Sequence, residues 1–260
     1  MILNARCEMT VATTVPTAIV MMIEPLSGPA QDILKSSVSI QPETPHVKTI
    51  DVFGNACQRT VLPAGTSVIT AEITASVPDA IDVHATAVFT PVQDLPDSVL
   101  HYLLPSRYCQ SDLLLELATK IIGNASPGYE QVEAIRNWIH QNIEYKYGCS
   151  GPSTTAVDTS QSRQGVCRDY AHLGIALCRA VRIPARMVSG FLYQLDPMDL
   201  HAWFEAFVCG RWYTFDATQP QPRGNRIILS YGRDAAYIAQ LSEYGNLEMK
   251  GMHVQVDAAP

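Results

Sequence analysis

Basic side chains are scarce in this chain: 18 Lys and Arg stand against 25 Asp and Glu, a net charge of −7, with no block of positive charge anywhere. A surface that follows nucleic-acid phosphates needs clustered Lys and Arg, so a nucleic-acid partner is not expected, and an acidic membrane face is disfavoured for the same reason. Long apolar runs are missing too. The longest near the N-terminus, residues 15–23, is broken by Pro16 and Thr17 and closed by Glu24. It is too short to span a bilayer and lacks the basic flank and small-residue cleavage site of a signal peptide. The seven cysteines (Cys7, Cys57, Cys109, Cys149, Cys167, Cys178 and Cys209) have no CxxC or CxxH spacing. Neither a disulfide framework nor a zinc site is indicated, and free thiols suit a reducing compartment, so a cytoplasmic location is the expectation. No acidic loop has calcium-ligand periodicity. No cofactor and no metal are expected.

What is present describes a folded chain: 47% hydrophobic and only 17% charged residues, enough at 260 residues for one large core or two modest ones. Residues 1–104 are rich in Val, Thr and Ile in short segments cut by Pro and Gly. Thr66 to Val77 alternates with period two, Val68, Thr70, Glu72 and Thr74 on one side and Ile69, Ala71, Ile73 and Ala75 on the other. This region reads as an all-β domain, sandwich-like. Pro91, Pro96 and Pro105 mark a linker, and a second, mixed domain is expected over residues 105–260. There, Val132, Ile135, Ile139 and Ile143 recur at helical spacing, with His140 off that stripe as a solvated residue. The polar stretch from Tyr145 to Gln164 is long for a simple connection, which points to a functional loop or a short helix.

That stretch leads into GVCRDYAH, residues 165–172, where a glycine turn delivers Cys167 to the start of an apolar helix. Unpaired N–H groups and the positive end of the helix dipole stabilise negative charge at such a position, which suits a nucleophilic sulfur. Helix geometry alone leaves open whether Cys167 is a nucleophile or one more buried thiol. Cys178, on the same face, is expected to be structural.

Three strand-like segments follow: Ala185 to Tyr193, His201 to Val208 and Arg211 to Thr218, the last two joined by Cys209-Gly210. A two-residue hairpin places Val208 opposite Arg211, Trp203 opposite Asp216 and His201 opposite Thr218. His201 and Asp216 then share a face as diagonal neighbours, with backbones roughly 7 to 8 Å apart. An aspartate inside a strand as apolar as RWYTFDAT requires a partner, since an unpaired buried carboxylate is costly. A thiol at a helix start, a histidine and an aspartate aimed at that histidine are the parts of a cysteine acyl-transfer site.

The segments GVCRDYAHLGIALCRAVRIPARMVSGF and LHAWFEAFVCGRWYTFDATQP resemble the core of the bacterial transglutaminase-like superfamily, in which a Gly-Val-Cys segment opens a helix and His-Ala-Trp and Asp-Pro-Thr-type strands complete a triad. The resemblance covers about residues 105 to 235, and DVFGN near Asp51 resembles the β-rich region that often precedes this core. It implies an α+β fold, a papain-like core with the Cys helix packed on an antiparallel sheet, preceded by the all-β domain. It also implies Cys167 as nucleophile, His201 as base and Asp216 as orienting carboxylate. Ala217 stands where the family often has proline, so a changed strand end is expected. The oxyanion site is expected to use the Cys167 N–H; Gln164, Trp203 and Asp169 are the candidates for its second donor or for lining the substrate cleft, with Gln161 or another aromatic donor as further options. Asp169 and His172 match common family positions and are read as buried hydrogen-bonding residues. The expected activity is amide or peptide hydrolysis through a thioester, on a protein or peptide substrate. Amine acyl transfer, as in a true transglutaminase, and a catalytically silent peptide-binding module are the alternatives, since fold alone does not choose among them.

Overall fold

A computed structural model describes residues 1–259. The alternation of the N-terminal segments produces six strands: β1 (Ile2–Thr13), β2 (Thr17–Met21), β3 (Asp32–Gln41), β4 (Val47–Ile50), β5 (Ala56–Leu62) and β6 (Gly65–Ser76). In β6 the side with Ile69, Ala71, Ile73 and Ala75 is buried and the other side is not, as the period of two requires. Leu3, Ala5, Cys7, Met9 and Val11 do the same for β1. The two sheets, one with β1, β6 and β3 and the other with β2, β5 and β4, share one apolar core in which Ile19, Met21 and Leu62 meet Leu3, Met9 and Ile69. The region is therefore a β-sandwich.

Two of its strands come from the far end of the chain. β13 (Leu241–Tyr244) pairs with β2, and β14 (Leu247–Ala258) runs antiparallel to the whole of β1, from Leu3 opposite Ala258 to Thr13 opposite Leu247. Residues 241–258, expected in the second domain, thus complete the N-terminal sheets. Only Val254 and Val256 of β14 are buried, so that strand carries little hydrophobic pattern.

Between these ends lie α1 (Asp97–Leu100), α2 (Leu115–Ile122), α3 (Tyr129–Asn142), β7 (Glu144–Tyr145), α4 (Ala156–Ser162), β8 (Gln164–Gly165) and α5 (Cys167–Ala180), followed by β9 (Ala185–Leu192), β10 (His201–Val208), β11 (Arg211–Phe215) and β12 (Arg226–Gly232). The polar stretch before Cys167 holds α4, whose Thr155 cap and Asp158 bond reciprocally: Thr155 N–H donates to Asp158 Oδ2 at 2.9 Å and Asp158 N–H to Thr155 Oγ1 at 3.3 Å. The antiparallel sheet β11-β10-β9-β12 lies against α5. Gly174 sets how closely: a Cβ there would stand 2.5 Å from the Phe204 ring. Ala202, Phe204, Ala206 and Val208 join α5 in the second apolar core, which leaves His201, Trp203, Glu205 and Phe207 on the opposite face. Cys209 and Gly210 both have positive φ, 49° and 77°, as a primed two-residue turn demands. Val208 accordingly lies opposite Arg211 and Phe204 opposite Phe215.

Candidate active site

The hairpin brings His201 and Asp216 together. β11 stops at Phe215, and Asp216 turns its carboxylate inward. Oδ1 accepts from Thr218 N–H at 3.0 Å and Thr218 Oγ1–H at 2.7 Å. Oδ2 accepts from His201 Nε2–H at 2.7 Å and from Arg226 Nη2–H at 2.8 Å. Four donors and two cationic partners satisfy a carboxylate that is only 5% exposed. Burial by itself would raise its pKa, but His201 and Arg226 outweigh that and hold it well below the ordinary carboxylate range.

Helix α3 fixes the same strand end from behind. Arg136 donates to the Asp216 carbonyl at 3.3 Å and to the Gln219 carbonyl, while His140 Nδ1–H donates to the Ala217 carbonyl at 3.0 Å. His140 is thus a structural donor and not the solvated residue its place off the apolar stripe suggested. With alanine in place of proline at 217, the strand end is held by these contacts and by the Thr218 turn on Asp216.

His201 is 2% exposed. Burial works against its cation, yet the Asp216 carboxylate, followed by the Cys167 side chain, raises it to about 9. Nε2 is taken by Asp216, and Nδ1 has no hydrogen-bond partner. The Cys167 side chain is near enough to act on the charge of the ring and, unlike His201 and Asp216, is partly open to solvent. Its helix start is locked: Val166 N–H donates to Asp169 Oδ2 at 2.9 Å, and Arg168 bridges Asp169 at 3.2 Å and the Gly151 carbonyl at 2.9 Å. Gly165 has to lack a side chain because a Cβ there would lie 2.8 Å from that of Asp169.

The three residues expected to line the cleft or the oxyanion site are engaged as follows. Asp169 is 1% exposed and spends its carboxylate on the helix start. Gln164 donates to Glu144 Oε2 at 2.9 Å and accepts from Lys146 Nζ at 3.4 Å. Trp203 is buried behind His201, ring centres 6.0 Å apart, with the Arg226 guanidinium 4.8 Å above it. It forms part of the wall of a different cleft of about 640 Å³, on the sheet face turned toward residues 29–30 and 78–82. His172 is fully buried, accepts the Ala235 N–H at 3.1 Å and stacks on Tyr108; burial lowers it to about 4, a structural histidine.

Two residues at the site carry no sequence signal of their own. Arg226 lies ten residues beyond Asp216, across a breaker segment. Tyr145 belongs to β7, which pairs in parallel with β8 so that Tyr145 lies beside Gly165, two residues before Cys167. Burial and then the neighbouring Cys167 push its phenol up. The Tyr145 phenol therefore stands near Cys167. Among the described residues no group of three or more His, Cys, Asp or Glu side chains is arranged to hold a metal.

Known proteins resemble this arrangement. A profile of the core described as "Transglutaminase-like superfamily" matches residues 115–217, the span that contains Cys167, His201 and Asp216. A crystal structure of a proposed cysteine protease from Cytophaga hutchinsonii is 37% identical, covers 99% of this chain and 90% of its own, and superposes with a TM-score of 0.93. An uncharacterized protein of Mycobacterium leprae is 25% identical over 232 residues, 84% of this chain and 83% of its own length. A second, from Mycobacterium tuberculosis, is 30% identical over 167 residues, 58% of this chain and 53% of its own. The helix, the sheet and the sandwich all recur in the Cytophaga protein at that identity, and on these grounds the chain belongs to the transglutaminase-like superfamily.

Proposed function

We propose that the protein is a cysteine-dependent hydrolase of amide or peptide bonds that works through a thioester. The observation that carries this reading is the placement of one imidazole between Asp216, at 2.7 Å from Nε2, and the partly exposed Cys167 thiol at a helix start. The resemblance to a proposed cysteine protease supports it.

In this reading Cys167 and His201 rest as a thiolate–imidazolium pair; the sulfur bonds the substrate carbonyl carbon, and the carbonyl π electrons become an oxyanion. Asp216 keeps Nε2 protonated and offsets the charge of the imidazolium, so the proton that moves is the one on Nδ1. The Cys167 N–H and the Tyr145 hydroxyl are the donors for the oxyanion. Collapse breaks the C–N bond, and His201 gives its proton to the departing amine, leaving a thioester. Water then loses a proton to His201, attacks the thioester, and the second collapse releases the acid and returns the thiolate. All seven cysteines are unpaired, which favours a reducing compartment such as the cytoplasm.

The test is mass spectrometry of protein and products after exposure to a peptide library, with and without a primary amine. An acyl adduct on Cys167, with acid product formed in the absence of amine, is the expected outcome. Product that forms only with amine makes the protein an acyltransferase instead, and no adduct on Cys167 sinks the nucleophile assignment.

A further inference from the structure

β12 is the edge of the catalytic sheet, and two side-chain amides from the sandwich stand where a neighbouring strand would be. Gln31 Nε2–H donates to the Ile228 carbonyl at 2.8 Å while its Oε1 accepts the Ile228 N–H at 2.7 Å. Asn55 treats Tyr231 the same way, with both bonds at 2.8 Å. Each amide reproduces the donor and acceptor pair of a strand partner. Gln31 is 8% and Asn55 3% exposed, so water does not compete for these bonds. Asn55 is itself fixed by Asp51, which accepts its N–H and its side-chain amide at 2.8 Å each.

The clamped stretch is where β12 is irregular. Its pairing with β9 shifts between Ile228 and Ser230, and the two amides grip residues on either side of that shift. An edge strand with a bulge has a register that must be pinned. Arg226 lies two residues before Ile228, so on the same face, and whatever pins Ile228 also sets where Arg226 begins. Its guanidinium is then aligned by the Arg223 carbonyl at 2.9 Å and the Trp203 ring at 4.8 Å, and it reaches Asp216 Oδ2, the oxygen that also binds His201.

We infer that Arg226 is a positioning residue for the His201 and Asp216 pair, and that Gln31 of the sandwich sets its place by clamping β12. The inference rests on the proposed role of His201 as base. A cation on the shared oxygen damps the carboxylate felt by the imidazole and holds the carboxylate plane toward it. The charged and titratable groups around the ring are Asp216 from the end of β11, Arg226 from β12, Cys167 from α5 and, farther out, Arg223 from the preceding loop. Removing the Arg226 charge leaves Asp216 free to act on His201 alone.

The experiment is an NMR titration of the His201 imidazole in the full chain, its signal assigned by loss in His201→Gln. Arg226→Gln is expected to raise the midpoint by about 1 pH unit, the scale of one charge at this range. Gln31→Ala touches none of the groups around the ring and is expected to move the midpoint the same way by less, with no additional shift in the double variant Gln31→Ala/Arg226→Gln. Asn55→Ala, which releases Tyr231 and one bond to Asp51, serves where Gln31→Ala does not fold. An unchanged or lowered midpoint in Arg226→Gln overturns the inference. So does a clamp variant that folds and titrates as wild type, or one whose shift persists in full without Arg226. Alkylation of Cys167 by iodoacetamide in the same samples tests the nucleophile separately: a Cys167 no faster than buried Cys178 sinks that reading and leaves the His201 result standing.

Discussion

Replacing Asp216 by Asn removes the charge that sustains His201 while keeping the side-chain shape, and its effect on stability is expected to depend on pH with a defined sign. Burial opposes the His201 cation, but Asp216 more than compensates, and the folded-state midpoint rises from 6.5 to about 9. A raised folded pKa contributes stability that is fully present below the unfolded value and is lost as pH climbs through the folded one. The interval corresponds to on the order of 3 kcal/mol at 1.36 kcal/mol per unit. Cys167 supplies a smaller part of the rise and is the same in both proteins. In Asp216→Asn the burial penalty is unopposed by charge, so the variant does not gain stability on going from alkaline to neutral pH as the wild type does. Urea unfolding at a series of pH values from 6 to above 9 measures the difference. The gap between the two proteins is expected to be widest near pH 6 and to shrink by on the order of 3 kcal/mol above pH 9. A gap that is flat, or that widens as pH rises, would refute the electrostatic account of the pair, whatever it did to activity.

Cys167→Ala is expected to abolish product formation while the thermal unfolding midpoint stays near that of the wild type, because the side chain is only partly buried; residual turnover at more than a trace level would exclude it as nucleophile. Tyr145→Phe is expected to lower turnover by about 10²-fold, the lower end for loss of one oxyanion donor, with Cys167 alkylation unchanged. Equal losses in both assays would make Tyr145 a packing residue. In Gly174→Ala the better helix propensity of alanine gains up to about 1 kcal/mol. The contact of 2.5 Å between a Cβ and the fully buried Phe204 ring works against it, at a typical cost of about 1 to 3 kcal/mol. Net destabilisation by urea unfolding is expected, and a stabilised variant would show that α5 can rise off the sheet.

The parts of this fold that follow from local chemistry were legible beforehand. Strand parity needs only the period of two and a two-residue turn, so the meeting of His201 with Asp216 could be read from RWYTFDAT and its partner strand. What could not be read depends on long-range contact. Arg226 reads as an ordinary edge residue until β12 is placed beside β9. His140 faces away from its helix's apolar stripe because it reaches a carbonyl on another element. Tyr145 lies in a polar stretch and gains its position from a two-residue parallel pairing too short to leave a pattern. Asp169, expected near the cleft, is consumed by its own helix start, a use common for carboxylates three residues inside a helix.

The union of β1 with β14 also imposes an order in time. Leu3 finds its partner only when Ala258 has been made, so the sandwich closes by contacts between segments far apart in sequence, the slowest kind to form. Helix α5 and its sheet lie between those extremes and are synthesised earlier, but the amides that grip β12 belong to the sandwich. During translation the segment bearing the thiol therefore leaves the ribosome before the frame that aligns its histidine is finished. A chain lacking β14 would leave one side of β1 without a partner along almost its whole length.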